Sequence, residues 1–203
     1  MQSLRPVRRV AELGSFGGSS KRYRVMIETT RLKLIPATVA LARAEIGDRG
    51  EFARLLGASV PDNWPPETAA DALPLFLGWF EAAPDRVGWF GWYALVAGDE
   101  AAVPVLVGGG GFFGPPRDGV AKIGYSVLPQ FQRQGYATEI VRELVNWALG
   151  QQGVARIVAE TEWANPASVR VLEKAKFVSV GPTAEPGGTR FELSASAAPA
   201  EPR

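Results

Sequence analysis

Residues 136–149 carry apolar side chains at helical spacing. Ala137, Ile140, Val141, Leu144, Val145 and Ala148 recur at i, i+3 and i+4. A second, less regular helical stretch runs over 38–56, with Val39, Ala42, Ile46, Phe52 and Leu55 as expected core contacts. Gly47 and Gly50 interrupt it, so it reads as one helix or two short ones. Pro65, Pro66 and Thr68 are helix-entry residues for a segment over 67–82, where Leu73, Phe76, Leu77 and Phe80 keep helical spacing. Asn165-Pro166 opens another helix, to about Ala175.

Between these lie strand-like runs: 27–35, 89–97, 103–114, 121–128, 156–161, 177–181 and 189–193. The residues GDEA and PPRDG read as turns between the second, third and fourth runs, and the last two runs read as a hairpin. The order is strand, helices, three antiparallel strands, helix, strand, helix, two strands. A crossover helix demands parallel neighbours, so 121–180 should hold a locally parallel pair. The expected fold is α/β: a mixed, mostly antiparallel central sheet with helices on both faces.

The chain has 203 residues, enough for one domain with a sizeable core. The expected division is a Gly/Ser-containing basic leader over 1–25, a folded domain over 26–194 and a disordered tail over 195–203. Met26 stands directly before the first strand and is a second candidate start. Net charge is +1, which gives no electrostatic argument for nucleic acid. No run approaches the roughly 18 apolar residues of a membrane span, and the leader lacks an apolar signal core, so a cytoplasmic protein is expected. The chain contains no cysteine and no histidine. Disulfides, thiolate sites, imidazole metal sites and His-based triads are thereby excluded. Any general base is a carboxylate, tyrosine, lysine, terminus or water.

The informative loop is Gln132-Arg133-Gln134-Gly135-Tyr136-Ala137-Thr138, between a strand and the clearest helix. A helix N-terminus offers unpaired N–H groups and partial positive charge, which suits a phosphate. Gly135 lets backbone approach closely, and Arg133 adds a full charge. An ordinary strand-to-helix turn reads equally well from the loop alone. Gly109–Gly114 formally matches a dinucleotide G-x-G-x-x-G motif, but a turn and not a helix follows, which rules that reading out.

This loop resembles the phosphate-binding signature of the GNAT superfamily of N-acetyltransferases. With Ile123–Val127 before it and Asn165–Lys174 after it, the chain is similar to the RimJ/RimL branch over roughly 27–193. The resemblance implies acetyl-CoA as cosubstrate, no metal, and a cofactor cleft between locally parallel strands. It implies Arg133, Gln134, Gly135, Tyr136, Ala137 and Thr138 around the pyrophosphate. Tyr125, Ser126 and Val127 would line the pantetheine, with Val127 N–H polarising the thioester. Asn165, itself a natural helix cap, would bond the pantetheine, and Ser168 would help protonate the thiolate. Glu160 is the implied base; a solvent-facing or salt-bridged carboxylate is the competing reading. Two departures stand out. Leu172 occupies the position of a tyrosine acid in some relatives, and Lys176 stands where a glycine usually ends the helix. The expected function is acetyl transfer to a primary amine, on a small molecule or a protein N-terminus, as monomer or homodimer. A catalytically degenerate acetyl-CoA-binding sensor or interaction module is the alternative. The acceptor-side segments 38–82 and 112–119 show no recognisable chemistry. Trp64 and Trp163 are expected beside the acceptor.

Overall fold

The computed structural model describes residues 26–66, 70–97 and 102–195. The expected leader, most of the tail, the GDEA turn and Thr68 lie outside the described residues. The opening run folds as two strands, β1 (Ile27–Glu28) and β2 (Leu32–Pro36), joined by a bend. Helices α1 (Val39–Gly47) and α2 (Arg49–Leu56) follow, then α3 (Leu73–Ala82). Strands β3 (Gly91–Val96), β4 (Val105–Phe112) and β5 (Val120–Val127) form a meander. Then come α4 (Tyr136–Leu149), β6 (Arg156–Glu162), α5 (Pro166–Lys174), β7 (Val178–Pro182) and β8 (Gly188–Ser194).

Among the described residues eight strands make one sheet in the order β1-β2-β3-β4-β5-β6-β8-β7. Every neighbouring pair is antiparallel except β5 and β6. The expected mixed sheet, its parallel pair and the final hairpin are all present. Strand β8 enters the sheet between β6 and β7.

Two apolar layers flank the sheet. One gathers α4 and α5 through Ile140, Leu144 and Leu172 onto Ile123, Ile157 and Phe191. The other gathers α1, α2 and α3 through Leu41, Phe52 and Phe80 onto Tyr93, Leu95 and Leu106. The helical stretch over 38–56, read as one helix or two short ones, is two helices. Asp48 ends α1 and caps α2, its Oδ1 accepting Glu51 N–H at 3.0 Å. Ile46 was an expected core residue but is 46% exposed. The buried face of α1 runs through Leu41, Ala42 and Ala44, and Ile46, two residues beyond Ala44, falls about 200° away around the helix.

Helix α5 ends as a Schellman motif. Phe177 N–H donates to Leu172 C=O and Lys176 N–H to Glu173 C=O, both at 3.0 Å. Lys176 holds a left-handed φ of 72°, the conformation that glycine more often fills.

Candidate active site

Strands β5 and β6 pair from Val120↔Arg156 to Ile123↔Ala159 and then diverge. Past that point β5 continues against β4 and β6 against β8. A cleft therefore opens between Gly124–Val127 and Glu160–Glu162. The direction of the backbone groups in it follows from the β4–β5 ladder. Phe113 N–H donates to Lys122 C=O and Leu128 N–H to Val107 C=O. Hydrogen-bonded and non-hydrogen-bonded pairs alternate, so Tyr125 and Val127 turn their N–H and C=O groups into the cleft. Ser126, expected to share in this edge, turns its backbone to Gly109 on β4 instead. The Val127 carbonyl accepts Gln132 Nε2 at 3.0 Å, which leaves the Val127 N–H facing the cleft.

The loop after β5 is shaped for an anion. Arg133 and Gly135 both adopt left-handed conformations, at φ 60° and 87°. Such turns aim successive N–H groups into one concavity. Among the described residues, none of the N–H groups of Arg133 through Thr138 donates to a protein acceptor. A left-handed non-glycine residue costs roughly 1–2 kcal/mol. Burial of Ile140, Val141, Leu144 and Val145 on α4 far outweighs this, at about 6–12 kcal/mol as an upper bound.

Arg31, at the bend between β1 and β2, braces this loop. Its guanidinium donates to Glu139 Oε2 at 2.6 and 2.8 Å and to Gln134 C=O at 2.8 Å. It also lies over the Tyr136 ring, 4.7 Å from the centroid. The ion pair neutralises Glu139, which would otherwise repel a phosphate at the start of α4. No local pattern links positions 31 and 139, so the sequence offers no signal for this contact.

On the other side of the cleft, Asn165 caps α5 as expected. Its Oδ1 accepts Ser168 N–H at 3.0 Å, and among the described residues its Nδ2 has no protein acceptor. Ser168 Oγ lies 2.8 Å from the Tyr125 hydroxyl, which thereby reaches from β5 to α5. Burial raises the pKa of Tyr125, partly offset by Ser168, and keeps the phenol protonated. Leu172 is fully buried in the core.

Glu160 stands beside the cleft but is not free. Lys122 Nζ lies 2.5 Å from its Oε2, and Arg190 Nη2 lies 2.9 Å from its Oε1. The Lys122 bond first, then Arg190, holds its carboxyl below the usual range. That is the wrong direction for a proton acceptor working near neutrality.

A cavity of about 240 Å³ opens on the α1–α3 face of the sheet and reaches Gly124, Tyr125 and Ser126. Trp64, Phe76, Trp79, Phe90 and Phe113 wall it. Trp163 does not; it is 57% exposed and packs edge-on against Phe191. The Trp64 loop is tied to the loop after β5 by Asn63 and Gln130, whose side-chain amides exchange two hydrogen bonds of 3.0 Å. The one carboxylate lining the cavity, among the described residues, is Glu45. Its Oε1 accepts Trp64 Nε1 at 2.7 Å and its Oε2 accepts the Tyr93 hydroxyl at 2.6 Å. Burial raises its pKa, and the bonds to Tyr93 and Trp64 only partly offset this. A signal for Glu45 exists in the sequence: it lies three and four residues after Ala42 and Leu41, on the buried stripe of α1.

Among the described residues no group of three or more potential metal-ligating side chains occurs, and no helix is long and apolar enough to cross a membrane. Residues 31–178 match the acetyltransferase (GNAT) domain family. The chain is 32% identical over 155 residues to an uncharacterized N-acetyltransferase, YjdG, of Bacillus subtilis, covering 76% of this chain and 90% of that one. Its fold is similar to Mycobacterium smegmatis RimJ, solved with CoA-disulfide, at a TM-score of 0.58 and 17% identity, covering 83% and 84% of the two chains. It is also similar to the ribosomal L7/L12 acetyltransferase RimL in complex with coenzyme A, at 0.55 and 20% identity, covering 82% and 95%. The matched domain encloses the opened β5–β6 edge and the whole anion loop, and the chain belongs to the GNAT acetyltransferase family, as an acetyl-CoA-dependent acetyltransferase.

Proposed function

We propose that the chain acetylates a primary amine by direct attack on the acetyl-CoA thioester. The observation that carries this reading is the divergence of β5 from β6 after Ile123 and Ala159. It frees a strand edge that a pantetheine can join by backbone bonding. The pyrophosphate is taken by the N–H groups of residues 133–138 with help from the Arg133 charge. The Tyr125 backbone and Asn165 Nδ2 flank the pantetheine. Val127 N–H donates to the thioester oxygen, where negative charge grows as the amine adds.

The neutral amine arrives from the cavity side. A nitrogen–carbon bond forms and the carbon–sulfur bond breaks. The nitrogen loses one proton, and the departing thiolate gains one from the Ser168–Tyr125 pair, which solvent replenishes. Charge balances, and no covalent enzyme intermediate is needed. The ion pairs of Glu160 favour water as the acceptor of the amine proton. Glu160 then acts as a positioning residue that fixes Lys122 and Arg190 at the rim. Glu160→Gln is expected to lower kcat by less than about tenfold, whereas loss of a general base costs on the order of 10²–10⁴. The rate of both proteins should rise with pH as the free amine accumulates. A loss of a hundredfold or more at pH 7 that shrinks at high pH would restore Glu160 as the base.

Amide hydrogen exchange tests the placement of the cosubstrate. Coenzyme A should slow exchange at Tyr125, Val127 and 133–138. Protection confined to the cavity walls around Trp64 and Phe76 would refute it.

A further inference from the structure

The acceptor cavity has a chemistry of its own. Its walls are aromatic, its floor is bare backbone at Gly109 and Gly111, and its single carboxylate among the described residues is Glu45. Side chains are barred from that floor. A Cβ at Gly109 would stand 2.6 Å from the Trp92 carbonyl, and one at Gly111 would overlap the Phe90 carbonyl. No β4 side chain intrudes at these two positions, and the Trp64 ring lies 3.7 Å from where a Gly109 Cβ would stand. At about 240 Å³ the space is below the roughly 300–1,000 Å³ of drug-sized sites, which suits a small molecule.

Glu45 is held by two neutral donors and, among the described residues, by no cation. A carboxylate in an apolar cavity with lone pairs to spare favours a further donor. The sheet register sets the backbone spacing between the Tyr93 strand and β5. Tyr93 is opposite Gly109, which is opposite Ser126. Two strand spacings are about 10 Å. Glu45 binds the hydroxyl of Tyr93, which is based two strands away from β5, and its role in the proposal is to anchor the acceptor.

From this we infer that the acceptor is a small arylalkyl amine bearing a second hydrogen-bond donor at the far end of its ring, which Glu45 receives. The inference rests on the amine-acceptor reading above. The aromatic ring occupies the space between Trp64, Phe76 and Trp79, and the aliphatic amine points to the Tyr125–Val127 edge. Among the described residues a polyamine finds one carboxylate here and apolar walls for its remaining charges.

Tryptophan fluorescence of the full chain, without acetyl-CoA, reads acceptor binding directly. Tyramine should quench saturably. 2-Phenylethylamine, which lacks the phenol, should bind roughly ten- to a hundredfold more weakly, the value of a hydrogen bond to a charged group. Spermidine should bind more weakly still. Glu45→Gln should erase the preference for tyramine over 2-phenylethylamine. Equal binding of the two aryl amines by the unaltered protein, or tighter binding of spermidine, would overturn the inference even if the variant did not fold. An unchanged preference in folded Glu45→Gln would overturn it as well. A separate acetyl-CoA titration tells this failure from failure of the acetyltransferase reading. Tyramine binding with no acetyl-CoA binding would sink the latter and leave the cavity assignment standing.

Discussion

Gly135→Val is expected to weaken acetyl-CoA binding by on the order of a hundredfold or more, with α4 still formed. Gly135 sits at φ 87°, where a β-branched residue is strongly disfavoured. Its Cβ would also stand 3.3 Å from Arg31 Nη2, the group that braces the loop. Valine must therefore move the backbone, and the concavity of N–H groups loses its common aim. A hydrogen bond to a charged group contributes roughly 1.5–3 kcal/mol, so loss of two amounts to about 10²–10⁴ in affinity. Helix α4 should survive, because its buried stripe begins only at Ile140. Calorimetry gives the affinity and far-ultraviolet circular dichroism the fold. Unchanged affinity in a folded variant would remove the loop from the cosubstrate site.

Replacing the Val127 amide by an ester, which swaps N–H for oxygen, should lower kcat by about 10²–10³ and leave acetyl-CoA affinity within a few-fold. Removal of one oxyanion donor costs this much elsewhere. The substitution suits this position because Val127 N–H points away from β4, so the ladder bonds of Phe113 and Leu128 remain. The Val127 carbonyl still accepts from Gln132, and the one group the ester weakens is the Ser126 carbonyl, which faces Gly109 on β4. Stopped-flow turnover and binding measurements separate the two effects. Equal losses in affinity and rate would mean that the N–H holds the ground state and not the developing charge.

The sheet was largely legible because its strands and helices obey local rules. The stripe on α4, the Asn165-Pro166 entry and the Gly-containing loop each announce their element within a few residues. The parallel β5–β6 pair followed from the crossover helix between those strands. What escaped detection depends on contacts distant in sequence. Arg31 reaches Glu139 across the fold, and Lys122 and Arg190 reach Glu160 from neighbouring strands. Spacing shows a carboxylate on a strand but not the cations that claim it. The half-buried Leu73 and Phe76 show only a helical spacing in the sequence. Only the sheet beneath them shows that they wall a cavity. Ser126 shows the finest limit. Its neighbours Tyr125 and Val127 face the cleft, and a ladder phase of one residue sends its own backbone the other way.

Acetyl transfer from acetyl-CoA to an amine at the opened β5–β6 edge is open to direct measurement. Thiol release from acetyl-CoA, followed alongside mass spectrometry of the amine, tests it most directly. Release should require an amine, saturate with it, and match the N-acetylated product one to one. Tight acetyl-CoA binding with no amine-dependent release across aryl, aliphatic and peptide amines would contradict it.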